Sequence, residues 1–158
     1  MLNPANGHYY AFYSTTQGTM SNVLLASTKT IVVSDRYYLG HMLTITSKAE
    51  QEFVHNTLGA RADVWLGLSD SSSEGYWRWI DGPEAGLSPA WSAWADGEPN
   101  GGIGQNCVCS TSDLLWFDVS CGSFRSFVIE YELQQSSVPG TAFNLYLFSS
   151  FWHFFFLF

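Results

Sequence analysis

The residues best equipped for chemistry lie between Trp91 and Cys121, in WSAWADGEPNGGIGQNCVCSTSDLLWFDVSC. This segment holds three of the seven Trp and all three Cys. It also carries four oxygen-bearing side chains, Glu98, Asn100, Gln105 and Asp118. Carboxylates and amide carbonyls are hard ligands of the kind Ca²⁺ takes, with about six to eight oxygens around the ion. A soft transition-metal box is not expected in the segment, because it has no His and its Cys lack zinc spacing. Catalytic signatures are missing too: there is no Gly-rich phosphate loop and no serine-nucleophile elbow. His8, His41 and His55 are far apart in the chain, show no partner pattern and read as structural or surface residues.

The elements that must position this segment can be read from pattern. HYYAFY (residues 8–13) is aromatic and β-prone and reads as a first strand. Met20, Val23, Leu24 and Ile31 recur at roughly helical spacing, which predicts a helix from Thr19 to about Val33. Tyr37 to Thr46 reads as a turn into a short strand. Ser47-Lys48-Ala49-Glu50 is a capping box, so a helix starts there, with Ala49, Phe53, Thr57 and Leu58 on one face. Gly59 stops it. Strands are expected over Val64–Leu68, Tyr76–Ile80, Cys107–Thr111, Leu114–Val119 and Ser126–Glu132. Between them, Gly86 to Gly104 is a Gly-, Pro- and Trp-rich connection too long to be an ordinary loop. A strand, two helices and then many short strands imply an α+β fold.

Composition narrows the partners. The 158 residues suffice for one domain with a real core, assigned to residues 1–135. A net charge of −8 with only six Lys and Arg leaves no electrostatic footprint for nucleic acid. An acidic surface is also repelled by anionic lipid. Three Cys cannot all pair internally; Cys107 and Cys121 flank a loop, which would leave Cys109 over. A disulfide implies an oxidising compartment, yet MLNPANGHYY has no basic region followed by an apolar run. The N-terminus therefore reads as truncated, with export encoded elsewhere. Residues 136–158 form a separate Phe-rich tail, uncharged and about long enough to span a bilayer. Asn144, Ser149, Ser150 and His153 interrupt it. A membrane anchor, a cleaved sorting tail, an artefactual extension and a segment buried on a partner all remain open for it.

The segments GHYYAFY, LTITSKAEQEFV, VWLGLSD, EGYWRWIDG, EPN, NCV, WFDVSC and SFVIEYE occur in that order over roughly residues 7–132. Together they resemble the C-type lectin-like domain. The resemblance implies a non-enzymatic module whose N- and C-terminal strands pair, flanked by two helices, with a long ligand-binding loop. It maps one family disulfide onto Cys107 and Cys121. The other, between the first helix and the last strand, has lost both partners, since Ile129 stands at one end and no Cys at the other; packing is expected in its place.

For the site, the resemblance implies Ca²⁺ and carbohydrate bound together by Glu98, Asn100, Gln105 and Asp118. A sugar's vicinal hydroxyls each lend a lone pair to the ion, donate to the Glu carboxylate and accept from the Asn amide. The Glu-Pro-Asn order implies mannose-type sugars, with Pro99 following a cis bond. Two departures weaken the set. Gln105 replaces a Glu, and Phe117 replaces an Asn, which implies weak affinity, on the order of 10⁻⁴ to 10⁻³ M. Asp70 and Glu74 match an auxiliary calcium pair, although Gly101 stands where a third acid would be. Trp91 and Trp94 are expected to anchor the loop, and Cys109 to be a small buried hydrophobe. The implied partners are mannose-type glycans or glycoproteins, at an extracellular or cell-surface location. The alternative is the same fold used without calcium, as a protein-interaction or adhesion domain.

Overall fold

The computed structural model describes residues 1–134 apart from Ala62; the 136–158 tail, and every expectation about it, lies outside the described residues. Strand β1 (Tyr9–Gly18) leads into helix α1 (Met20–Ser27) and the hairpin of β2 (Thr30–Val33) and β3 (Arg36–Met42). Helix α2 (Lys48–Glu52) continues as a π-helical turn, Phe53–Thr57. Then follow β4 (Val64–Ser69), β5 (Arg78–Trp79), β6 (Cys107–Ser110), β7 (Trp116–Val119) and β8 (Arg125–Leu133). The strands form one sheet ordered β2-β3-β8-β4-β6-β7, with β1 also on β8 and β5 on β4. The fold is α+β as expected, and its first and last strands pair antiparallel, Tyr9 opposite Tyr131 and Phe12 opposite Val128.

Three local expectations need correction. The helix predicted to Val33 ends at Ser27. Thr30-Ile31-Val32-Val33 is β-branched in all four of its members, which favours extended backbone. That run pairs with β3 across Ser34-Asp35, both at positive φ (50° and 62°), the geometry of a tight two-residue hairpin turn. The strand expected over Tyr76–Ile80 shrinks to Arg78–Trp79. The capping box is half made: Ser47 Oγ accepts from Glu50 N–H at 3.3 Å. The Glu50 carboxylate reaches one residue further back, accepting from Thr46 N–H (2.8 Å) and Thr46 Oγ1 (2.9 Å).

Alternation along the strands divides the core between the two faces of the sheet. Leu66, Leu68, Val108 and Val128 pack with Trp79 and Trp116 on one face. Trp65, Cys107, Cys109, Phe127 and Ile129 belong to the other. Met20 and Val23 of α1 join Ile129 in that second cluster, so apolar packing occupies the place of the absent bridge. The Cys107–Cys121 disulfide is present, and Cys109 is a buried free thiol. Closing a loop of this length is worth about 3 kcal/mol in the chain-entropy picture.

A buried polar knot fastens α2 to the sheet. Tyr10 Oη lies 2.6 Å from Glu50 Oε1 and 2.9 Å from Glu130 Oε1. Glu130 Oε2 accepts from Thr44 N–H at 3.0 Å. Burial and the two carboxylates push the Tyr10 phenol up, so it stays a donor. Burial likewise raises Glu130.

Two outcomes follow. Tyr10→Phe keeps the ring against Phe53 but removes the hydroxyl between two acids. It should lower stability by about 1.5–3 kcal/mol, the range for hydrogen bonds to charged groups, read by urea denaturation; an unchanged midpoint would show the knot to be idle. Thiol labelling of the native, unreduced protein should modify no cysteine, because burial shields Cys109 and raises its thiol pKa. Labelling in denaturant without reductant should find Cys109 alone, and more than one reactive thiol would reject the bridge.

Candidate functional site

The long loop is organised by Trp116 at the start of β7. Trp91 and Trp94 meet its ring edge-on, at centroid distances of 5.5 and 5.9 Å. Main-chain bonds run alongside: Trp116 N–H to Ala93 O (2.8 Å) and Ala95 N–H to Trp116 O (3.0 Å). The indole N–H of Trp116 donates to Gln51 Oε1 at 2.6 Å. Both loop tryptophans therefore act as anchors, as expected.

That anchoring delivers Glu98 to the side of Asp118. The Glu98–Pro99 bond is cis. Asn100 Nδ2 donates to Glu98 Oε1 at 2.8 Å, tying the first and third members of the triplet together. Gly101 N–H donates to Asp118 Oδ2 at 2.8 Å, which fixes the loop to β7. Asp118 is only 4% exposed. Burial and the neighbouring Asp118 carboxylate raise Glu98 above the usual carboxylate range. The remaining oxygens, Glu98 Oε2 and Asp118 Oδ1, are buried without a hydrogen-bond partner. Two crowded acids with unpaired, solvent-shielded oxygens form an arrangement that a cation stabilises and neutral packing does not.

The structure brings all four sequence-predicted residues together: Glu98, Asn100, Gln105 and Asp118 line one open depression of about 320 Å³. Phe117 lines it too, while also packing against the second core cluster. Gln105 folds its side chain over Gly101, where any Cβ would collide with its amide. The site therefore needs Gly101 as long as Gln105 keeps this position.

Sequence reading missed Asp63 and Arg125, which line the same depression. Parallel pairing of β4 with β8 sets Val64 beside Ser126, and so brings together residues some sixty positions apart. Pattern along one strand carries no trace of such a neighbour.

The auxiliary pair is less developed. Asp70 is buried, and its Oδ2 accepts from Gly75 N–H at 2.8 Å, which braces the Ser-rich turn. Glu74 is exposed. Asp70 Oδ1 and Asn106 Oδ1 are both buried without partners, and Asn106 is a further oxygen that the sequence reading passed over. Among the described residues no third acid, His or Cys completes a metal-holding group with this pair.

Comparison with known proteins agrees with this geometry. The family model "Lectin C-type domain" matches residues 35–130. Human C-type lectin domain family 4 member D is 32% identical over 126 residues, covering 76% of this chain and 54% of that protein. The mouse low affinity immunoglobulin epsilon Fc receptor is 37% identical over 86 residues, covering 54% of this chain and 24% of the receptor. The chain thus spans about half, or less, of these relatives. Among solved structures, the mouse scavenger receptor C-type lectin carbohydrate-recognition domain superposes with a TM-score of 0.62 at 25% identity, covering 82% of this chain and 91% of that one. The cow CD23 carbohydrate-recognition domain, solved in the presence of a GlcNAc2Man3 oligosaccharide, gives 0.61 at 27% identity, covering 82% and 90%. A calcium-independent type II antifreeze protein shares the fold (TM-score 0.64, 20% identity, covering 80% and 88%). The chain belongs to the C-type lectin domain family.

Proposed function

We infer that this domain binds mannose-type glycans, free or on glycoproteins, through a calcium ion held by Glu98, Asn100, Gln105 and Asp118. The observation that carries this reading is the pair of orphaned oxygens, Glu98 Oε2 and Asp118 Oδ1, in acids close enough to perturb one another. A divalent ion would neutralise both and take its remaining ligands from the amide oxygens of Asn100 and Gln105 and from water. When bound, the ion offers coordination positions to two sugar hydroxyls.

The chain's own residues supply the orientation. Glu98 accepts a hydrogen bond from one hydroxyl and the Asn100 amide donates to a second oxygen, so the pair fits a vicinal diol of one handedness. The Glu98–Asn100 hydrogen bond holds these groups in register before any ligand arrives. Phe117 adds an apolar rim where a further amide would have strengthened binding, and Gln105 supplies no charge. Affinity therefore belongs in the weak extracellular range, on the order of 10⁻⁴ to 10⁻³ M for calcium. The disulfide supports an extracellular or surface location. Asp70, Glu74 and Asn106 are proposed as an auxiliary metal position subordinate to the first.

A second reading, a calcium-independent interaction domain, draws on two observations: Gln105 is folded onto Gly101, and Phe117 is half-buried against the second core.

On immobilised mannose the protein should be retained with calcium and eluted by chelator. Retention that persists in chelator would move the assignment to the second reading. Glu98→Gln and Asp118→Asn should each abolish retention while melting close to the parent in calcium-free buffer. Phe117→Asn with Gln105→Glu should tighten calcium binding about tenfold, roughly 1.4 kcal/mol, by calorimetry. Because Phe117 also packs inward, the same double variant should melt lower without calcium. Unchanged calcium affinity in a folded double variant would show that Glu98 and Asn100 do not form a metal site.

A further inference from the structure

The sheet gathers two histidines and two acids that are scattered in sequence. Strands β1, β8 and β3 lie side by side, with Tyr10 and His41 both opposite Glu130. Period-two alternation puts His8 on the Tyr10 face and Glu132 on the Glu130 face. His8, Glu130, Glu132 and His41 therefore share one side of three neighbouring strands. This corrects the expectation that the histidines have no partners.

The atoms converge. One ligand atom each of His8, Glu130 and Glu132 lies within 4.8 Å of the other two. His8 Nδ1 is 2.7 Å from Glu130 Oε1 and 3.6 Å from Glu132 Oε1. His41 Nε2 is 3.4 Å from the same Glu132 oxygen. His41 is 2% exposed, and its Nε2 is buried without a hydrogen-bond partner. Its other nitrogen, Nδ1, sits 2.8 Å from Met42 O. A backbone carbonyl only accepts, so Nδ1 carries the proton, and in the neutral ring the Nε2 lone pair points toward Glu132. Metal-ligating histidines are commonly held this way, by an N–H given to a backbone carbonyl. Gly82, at φ +77°, lies against the same ring, and a Cβ there would come within 2.6 Å of Nδ1. The ring is thus fixed on both sides before any ligand binds.

We propose that His8, Glu130 and Glu132, with His41 beside them, form a site for a divalent transition-metal ion of the Zn²⁺ class. Imidazole nitrogen with carboxylate oxygen suits Zn²⁺ in four-coordinate sites. Calcium is disfavoured, because it takes oxygen ligands. Glu132 lies between two surface depressions, of about 630 and 340 Å³, so the position has a path from solvent. Bound there, zinc would clamp the start of β1 to β8.

The test is Zn²⁺ titration of the full chain by calorimetry in the presence of calcium, with Co²⁺ absorption as a second probe. The wild type should show saturable binding, a zinc-induced rise in melting temperature and a Co²⁺ spectrum of mixed nitrogen and oxygen ligation. His8→Ala, at a side chain 26% exposed, and Glu132→Gln, which keeps its shape, should each weaken zinc about tenfold or more. Glu98→Gln should bind zinc like the parent. Absence of saturable binding in the wild type, or binding undiminished in both folded variants, would overturn the assignment.

Discussion

Strand β8 hydrogen-bonds to three other strands, and the fold depends on that sharing. Along one side runs β1. The other side is divided, with Met42 to Tyr38 of β3 pairing with Ile129 to Leu133, and Val64-Trp65 of β4 pairing parallel with Ser126-Phe127. One strand thus joins the terminal hairpin layer to the layer that carries the long loop. Its side chains serve both cores, Val128 on one face and Phe127 and Ile129 on the other. A strand so placed is buried nearly throughout, which explains why SFVIEYE is largely apolar and why its acid at Glu130 needs a full set of donors.

The candidate site applies the same economy to charge. Its two carboxylates are brought together by elements with separate purposes: Trp116 and its indole neighbours hold the loop, while β7 fixes Asp118 through backbone pairing with Val108. Asp118 cannot leave its place without breaking those contacts, and the Asn100 amide holds the Glu98 carboxylate. Electrostatic tension at Glu98 is therefore a property of the scaffold, present before any ligand.

Legibility in the sequence followed the range of the interaction. Contacts carried by neighbours in the chain were readable: Ser47 as a cap, Gly59 as a stop, Glu98-Pro99-Asn100 as a unit and VWLGL as a strand. The family resemblance added the Cys107–Cys121 bridge and the meeting of loop with β7. The helix drawn to Val33 failed because apolar spacing at Ile31 outweighed a β-branched run whose partner, β3, lay across a turn. The cluster of His8, Glu130 and Glu132, with His41 beside it, was invisible for a stronger reason. Its members come from three strands, and only register places them together. Arg125 and Asp63 escaped notice for the same cause.

The pairing of Tyr9 with Tyr131 and of Phe12 with Val128 has a mechanical meaning. The outer ends of β1 and β8 emerge at the same edge of the sheet, so force applied near Tyr9 and Leu133 would load one rung of the ladder at a time. Such peeling resists tension far less than sliding, in which all rungs share the load. No covalent tie spans these strands among the described residues, since the place of the absent bridge is filled by Met20, Val23 and Ile129. His8 and Glu132 stand at the first rung to open, where a single strong cross-strand contact governs whether the zipper starts.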